Sequence, residues 1–469
     1  MNRAIPLLLN NEPVSLDEAP GRTVLSWLRE TRELTGTKEG CSEGECGACA
    51  VLLGEPTTDG VNYRAVPACL LPMGELSGRH LLTVEGLNPA TGLTPIQRAL
   101  VDQGAPQCGF CFPGIVLSLT GFFLSSDNLS VSDAVTALDG NICRCTGYAS
   151  ILRAITSLTE EYAPLLDSSL PRSEQLVEWG ILPKSVSDAP GLLADMETPL
   201  SAGLTLLGGG TDLVVQRGTE LPMADISFVS RRPELHGIQL DDNALVMGGG
   251  TTLEELRTSS MLADLVPVFT SMASVFASTL VRHRATVAGN LVNASPIGDL
   301  SVLLLALGAN LDLTTDGSAR QLPLAEFFLG YKDLALADRE IIHSIRVPRS
   351  ISEWSVSFEK VSQRRALDIA SVNSAAAFVM ENGRFTNARI SIGGVAPIPL
   401  LLKDTVEYLT GSEITPEVIL KAADIMDGEI APIDDVRGSA TYKRLLARRV
   451  LMAHVLKLAP ELVRFEELV

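Results

Sequence analysis

The sequence predicts an α+β chain of several domains, and three observations predict it. Its 469 residues exceed a single ordinary core, since domains usually hold ~100–200 residues. Its eight cysteines fall into two groups of four, one in a glycine-rich loop between strand patterns and one beside strongly apolar helix patterns. Beyond them, "LTLLGGGTDLVV" and "ALVMGGGTTLEELR" each read as strand, glycine turn and helix, set among further strands and helices.

Composition is that of a globular protein, with 46% hydrophobic and 20% charged residues. A formal net charge of −19 argues against nucleic acid as a partner, because holding a phosphate backbone relies on Lys and Arg. No apolar run reaches the ~20 residues that span a bilayer. "MNRAIPLLLNNEP" has too short an apolar stretch for a signal peptide, so a cytoplasmic protein without membrane contact is expected. Thiols stay reduced in that compartment, so cysteines at structured spacings point to metal or catalysis rather than disulfides.

The first domain is expected to be small and β-rich. "AIPLLLNNEPVSL" reads as a hairpin turning at Asn10 and Asn11, since Asn tolerates the left-handed backbone of a tight turn. A helix is predicted near Thr23–Thr31, and "CGACAVLLG" and "VNYRAVPACLLP" read as strands. Cys41, Cys46, Cys49 and Cys69 have the C-x4-C-x2-C…C spacing of a plant-type [2Fe–2S] site. Gly40, Gly44 and Gly47 let the loop take positive φ and bring N–H groups to the sulfurs of an anionic cluster. Thiolates also suit zinc, but x4 spacing in a glycine-rich loop with no partner histidine favours iron–sulfur.

The next domain is expected to be helical. In "QCGFCFPGIVLSLTGFFL" Pro113 belongs in a first helical turn, with an apolar body behind it. Ser132 with Asp133 is predicted to start a helix running towards Leu138, and "GYASILRAITSLTEEY" supplies another. Cys108 and Cys111, as C-x2-C, and Cys143 and Cys145, as C-x-C, thus lie at helix ends, where unpaired N–H groups and the dipole favour thiolate charge. Four thiolates so placed form a second closed site. The alternative, buried structural cysteines, leaves both short spacings to chance.

Residues 164–189 mix Ser, Pro and charge without sustained periodicity and are expected to be an interdomain linker. In "LTLLGGGTDLVV" a strand runs into glycines, and Thr211 and Asp212 open a predicted helix, a turn whose N–H groups suit a pyrophosphate. "ALVMGGGTTLEELR" repeats the pattern with Thr252 and Glu255 as a capping box, so one of the two turns is expected to be purely structural. "RHRATVAGNLVNASPIGDLSVLLL", dense in Gly, Asn, Ser and Asp, reads as a ligand-contacting loop. His283, between Arg282 and Arg284, is expected to be solvated and without a role. From Trp354 onwards strands such as "SAAAFVM" and "ARISIGGVAPIPL" give way to helices after Ser412.

"GCSEGECGAC" and "QCGFCFPG…NICRCTGY" closely resemble the iron–sulfur part of the molybdenum hydroxylase family. "LLGGGTDL" and "RHRATVAGNLVNASPIGDL" resemble the flavin-contact segments of the same family. The resemblance implies an α+β multidomain fold class. A β-grasp ferredoxin-like domain is expected at 1–82, a four-helix [2Fe–2S]-binding domain at 83–163 and the linker at 164–189. A two-part α+β FAD-binding domain of the PCMH/VAO-like kind follows at 190–353, then an α+β C-terminal domain at 354–469.

By the same resemblance Cys41, Cys46, Cys49 and Cys69 hold the cluster nearer the flavin. Cys108, Cys111, Cys143 and Cys145 hold the [2Fe–2S] cluster nearer the molybdenum, and Gln107 stands beside the pterin of a molybdopterin cofactor. For FAD the resemblance implies Leu206, Leu207, Gly208, Gly209, Gly210, Thr211, Asp212 and Leu213 in the first segment. It adds Phe276, Thr286, Gly289, Asn290 and Asp299, then Ile342 from "EIIHSIRVP" and Lys360 from "FEKVSQRRALDIA". Phe276 and Ile342 suit ordinary core equally well.

The implied activity is electron transfer, in which a protein spaces and tunes cofactors and needs no general acid or base of its own. Fusion of these two units on one chain resembles the small subunit of a bacterial purine-hydroxylating member. There, hypoxanthine and xanthine become urate on a large molybdopterin-binding subunit, and electrons pass through two clusters to FAD and NAD. The expected assembly is an α2β2 heterotetramer. Alternatives are the small subunit of an aldehyde or N-heterocycle dehydrogenase, or a non-enzymatic iron–sulfur carrier, against which the flavin half argues. NAD enters by resemblance alone, since no G-x-G-x-x-G follows a strand. Ala366 and Leu367 stand where animal members of the family carry acidic residues.

Overall fold

In the computed structural model the described residues are 4–89, 92–196, 203–315 and 317–468. They form two compact units, Met1–Arg231 with Ala277–Ala285, and Arg232–Phe276 with Thr286–Val469.

The first unit starts with the expected hairpin. Ile5–Leu9 pairs antiparallel with Glu12–Leu16, and Asn10 takes the left-handed turn position at φ 55°. Ile5–Leu9 also pairs parallel with His80–Leu82, which joins the antiparallel pair Ala50–Thr57 and Gly60–Pro67 into a mixed β-grasp sheet. Thr23 caps the helix Val24–Ser26, which widens into a π-turn at Trp27–Thr31 and buries Val24, Leu25, Trp27 and Leu28. Four helices follow at Pro95–Asp102, Phe112–Ser125, Val131–Ala137 and Tyr148–Tyr162. Phe112–Ser125 is apolar nearly all round because it is enclosed on all sides. Gly121 lets it close on the sheet, where an added Cβ would sit 3.1 Å from Ala65 and Leu52. The third helix starts at Val131, one residue before the expected Ser132: Ser130 caps it, accepting from the Asp133 N–H at 3.1 Å.

Two sequence expectations need correction here. The segment 164–189 is not a featureless linker. It contributes helices at Arg172–Glu178 and Ser185–Ala194, with Leu176, Ile181, Leu182 and Val186 in the core of the helical domain. Trp179 packs on Tyr162 at 5.1 Å between ring centroids. Short helices interrupted by prolines, one of them Pro190 inside a helix, carry too few turns for periodicity to show. The 190–353 region, expected to be in two parts, is divided between the two units. Strands Thr205–Leu207 and Ile226–Phe228 pair in parallel, and Leu207, Val214, Leu221, Ile226 and Phe228 share the core of Trp27, Cys49, Cys69 and Leu70. Lastly, His283 is half-buried and paired rather than freely solvated: its Nδ1 lies 2.8 Å from the Ala65 carbonyl oxygen, between a fully buried Arg282 and a buried Arg284. Arg282 donates to Asp139 at 3.0 Å.

The second unit holds an antiparallel sheet in the order Ser318–Pro323, Asn310–Thr315, Ile341–Pro348, Ala244–Gly248, Ile238–Leu240. A second sheet runs Ser355–Val361, Val372–Glu381, Arg384–Gly393, Leu400–Leu401. Helices Lys403–Leu409, Pro416–Glu429 and Ala440–Leu458 join its core with Val372, Phe378, Ile419, Met426 and Val455. No described helix is long and apolar enough to cross a membrane.

Candidate functional site

The first cysteine loop is shaped by its glycines. Gly44 and Gly47 sit at φ +79° and +65°, and Ser42 at +58°. An added Cβ on Gly40 would lie 2.8 Å from the Cys46 sulfur. The wrapped backbone turns N–H groups inward, and Glu43 and Glu45 donate to Cys41 Sγ at 3.4 and 3.3 Å. Cys69 arrives from the turn Ala68–Leu70, anchored by the Ala68 N–H on the Cys49 carbonyl at 3.1 Å. The thiols meet in pairs. Contact with Cys46 and N–H donation hold the Cys41 thiol down to about 5, while contact with Cys41 and burial push Cys46 up. Cys49 is lowered and Cys69 raised by their mutual contact.

The second group repeats the pairing on helix ends. Cys111 is the N-cap residue of Phe112–Ser125, with Pro113 in the first turn as expected. Cys143 lies in the turn leading to Tyr148–Tyr162, where its N–H donates to Tyr148 Oη at 2.9 Å and its sulfur accepts from Gly147 N–H at 3.4 Å. Burial and then Cys143 push the Cys111 thiol up to about 12. Donation by the Phe110 N–H, then contact with Cys145, lowers Cys108. Cys108 is exposed and Cys145 half-buried, whereas Cys111 and Cys143 are buried. The Nε2 of Gln107 lies 3.7 Å from where a Cβ on Gly147 would stand.

Both donor sets fit [2Fe–2S], in which each iron takes two thiolates. The two loops also touch. Ile142 N–H donates to the Cys46 carbonyl at 3.0 Å, and Asn141 Nδ2 to the Gly47 carbonyl at 3.2 Å.

The glycine turns separate by their hydrogen bonds. In the second, Gly248, Gly249 and Gly250 donate to the carbonyls of Gly237, His343 and Leu235 at 2.9, 2.8 and 2.7 Å, so the turn spends its N–H groups on the protein. In the first, among the described residues, the N–H groups of Gly209, Gly210 and Thr211 make no backbone hydrogen bond. Gly210 takes φ +78°, and Asp212 precedes the short helix Leu213–Arg217. Leu206 is exposed and Leu207 buried. That turn has the open donors a phosphate needs.

In the second unit, Thr286 caps Val287–Val292 by accepting from Gly289 N–H at 3.1 Å. Asn290 leaves a buried Oδ1 without a protein partner, and a Cβ added at Gly289 would lie 2.7 Å from Thr286 Oγ1. Asp299 opens the helix Asp299–Ala306 and pairs with Lys360 at 2.7 Å, and Lys360 also donates to the Val275 carbonyl at 2.9 Å, next to Phe276. Burial raises the Asp299 carboxyl against the pull of Lys360. Ile342 is buried on its strand. Asn373, wholly buried, donates to Asp299 Oδ1 and to the Ile297 carbonyl, a role no sequence motif announces. An orphan acceptor and a paired acid in a loop of small residues suit the polar groups of FAD.

Family profiles match four stretches: "2Fe-2S iron-sulfur cluster binding domain" at residues 7–73, "[2Fe-2S] binding domain" at 83–156, "FAD binding domain in molybdopterin dehydrogenase" at 154–350, and "CO dehydrogenase flavoprotein C-terminal domain" at 357–458. The chain is similar to xanthine dehydrogenase 1 of Arabidopsis thaliana, 30% identical over 89% of this chain and 36% of that protein. It is similar also to the xanthine dehydrogenase of Emericella nidulans, 28% identical over 94% of this chain and 38% of that protein. The chain thus spans a little over a third of the length of these relatives. Among solved structures, carbon monoxide dehydrogenase from Hydrogenophaga pseudoflava is 26% identical with a TM-score of 0.53, covering 56% of this chain and 92% of that one. Quinoline 2-oxidoreductase from Pseudomonas putida 86 shares the fold, with a TM-score of 0.51 over 55% of this chain and 90% of that one. With both iron–sulfur domains and both parts of the flavoprotein matched, the chain belongs to the molybdenum hydroxylase family and carries its electron-transfer domains for [2Fe–2S] and FAD.

Proposed function

We propose that the chain is the electron-transfer part of a xanthine dehydrogenase, taking electrons from a partner molybdopterin subunit that oxidises hypoxanthine and xanthine to urate and delivering them to NAD. The observation that carries the reading is the interlock of two paired-thiol loops, Ile142 on Cys46 and Asn141 on Gly47, beside a glycine turn packed in the same core as Cys49 and Cys69. Cys41, Cys46, Cys49 and Cys69 would hold one cluster and Cys108, Cys111, Cys143 and Cys145 the other. The turn Leu206–Leu213 would cradle the FAD pyrophosphate, with Phe276, Thr286, Gly289, Asn290, Asp299, Ile342 and Lys360 its further contacts. When bound, the clusters supply one-electron steps and the flavin converts these to hydride chemistry.

The chain's own residues tune and insulate. N–H donors on Cys41 and Cys143 favour the more negative reduced form of a cluster. The buried Asp299–Lys360 pair offers a fixed dipole to the flavin. Relatives named as xanthine dehydrogenases, matched along most of this chain, support the purine assignment. The carbon monoxide dehydrogenase match favours a second reading, the same electron path served by a partner with another substrate.

The test uses the purified chain and its complex. About four irons and four acid-labile sulfides per chain are expected, in two distinct paramagnetic centres. Alone, the chain should pass electrons from NADH to a dye and leave xanthine untouched. With the molybdenum subunit, purine-dependent NAD reduction should appear, and the Cys108→Ser complex should lose it while keeping NADH-to-dye transfer. Zinc in place of iron, or xanthine oxidation by this chain alone, would sink the proposal.

A further inference from the structure

The glycine turn at Gly208–Gly210 is held from beneath by charges that no motif predicts. Arg284 Nη2 donates to the Gly209 carbonyl at 2.9 Å. The same nitrogen lies 3.4 Å from Glu75 Oε1, and both side chains are almost wholly buried. Glu75 stands in the turn Met73–Leu76 of the ferredoxin-like domain, close after Cys69. Its carboxylate takes a further bond from Ser230 Oγ at 2.6 Å and another from Arg79 at 2.7 Å. Beyond Arg79 the network continues to Glu55 and Arg64. Burial alone would raise the Glu75 carboxyl, but Arg284 and Arg79 hold it well below the usual carboxylate range.

The fit around Gly209 is tight. An added Cβ there would stand 1.7 Å from the Arg284 carbonyl oxygen, so Arg284 meets Gly209 through both backbone and side chain. A well-packed apolar pair would hold two segments together at no cost in charge burial, and often better than an ion pair does. An arginine adds something an apolar side chain lacks. It donates to a carbonyl, fixing the peptide planes whose N–H groups face the other way.

We propose that Glu75 and Arg284 are a positioning pair for FAD: Arg284 orients the Gly209 peptide so that the N–H groups of Gly209, Gly210 and Thr211 are set for the pyrophosphate, and Glu75 orients Arg284. The proposal rests on the reading of this turn as the FAD cradle. It ties flavin binding to the domain of the first cysteine group through one carboxylate.

The test is FAD affinity of the full chain after removal of flavin, read by quenching of flavin fluorescence, with iron per chain and the denaturation midpoint measured alongside. Glu75→Gln and Arg284→Gln should each weaken FAD binding by about tenfold or more, since each loses a charge-assisted bond, and should leave iron content unchanged. Arg284→Lys, which keeps a charged donor, should recover part of the affinity. Glu55→Gln breaks the same network away from the turn and should lower the denaturation midpoint while FAD affinity holds. Equal loss of FAD in Glu55→Gln, or iron falling in step with FAD, would show general loosening and overturn the pair's role. Thr211→Glu separates the proposal from the reading beneath it, because a carboxylate there repels phosphate. FAD binding that fails in Thr211→Glu but persists in Glu75→Gln and Arg284→Gln overturns the pair and leaves the cradle standing. FAD binding that persists in all three overturns both.

Discussion

His454 is wholly buried between two hydroxyls, Nδ1 against Ser357 and Nε2 3.0 Å from Ser374. Burial, reinforced by Lys457, lowers its pKa to about 3. In the unfolded chain the ring protonates near its ordinary value of about 6.5, so as pH falls the unfolded state takes up a proton that the folded state refuses. The stability this group contributes is complete above about pH 6.5 and is lost by about 1.4 kcal/mol per pH unit below it. Denaturant unfolding at pH 7 and pH 5 should show that slope in the parent protein and a shallower one in His454→Gln. Asp299 is the opposite case, an acid raised by burial and kept by its partner. Asp299→Ala would leave the Lys360 ammonium buried with only the Val275 carbonyl, a loss of about 3–5 kcal/mol. FAD per chain should fall more than iron per chain, a ratio measured by flavin release and iron assay.

At the scale of elements, the join between the two cysteine loops depends on one helix sitting close. A Cβ on Gly114 would lie 2.0 Å from the Gly47 carbonyl oxygen, so only glycine lets Phe112–Ser125 approach the first loop. Gly114→Ala should push the helix away and strain the Asn141–Gly47 bond, slowing transfer between the centres without removing Cys41 to Cys69 as ligands. The expected result, by rapid-freeze electron paramagnetic resonance, is both centres present and a slower reduction of the first from the second. Cys46→Ser should instead remove one signal and leave the other, since the ligand sets share no residue. The glycine-shaped loop and the helix end that carry the cysteines were legible because their signals are local: short spacings, glycines and one proline declare them. The hairpin at Asn10 and the capping box at Thr252 were legible for the same reason. Glu75 with Arg284, and Asp299 with Asn373, were not, because each pair is brought together only by the finished fold. Two glycine turns of like sequence differ in which carbonyls reach their N–H groups, and those carbonyls lie on other segments.

Across the whole molecule, the most telling surface is the one beside the exposed Cys108. Phe110, Ile142, Tyr148 and Leu152 are 45%, 39%, 49% and 46% exposed there, and an open apolar groove runs beside them along Leu93, Val101, Gly109 and Pro113. On a chain of net charge −19 such a face is costly to leave in water, and apolar clusters of this kind mark protein interfaces. On the proposed function it is also where electrons from a molybdenum partner would enter, because Cys108 and Cys145 are the outward members of the second group. Aromatic residues at the centre of an interface commonly carry about 2 kcal/mol or more of binding each. Phe110→Glu should therefore weaken assembly with the molybdenum subunit by about thirtyfold or more and abolish purine-dependent NAD reduction at dilute concentration. NADH-to-dye transfer should stay at the parent level, because the flavin end is untouched. Raising the partner concentration should restore purine turnover in Phe110→Glu but never in Cys108→Ser, where docking is intact and the cluster is lost. Purine turnover in Phe110→Glu equal to the parent at every partner concentration would place the interface elsewhere on the chain.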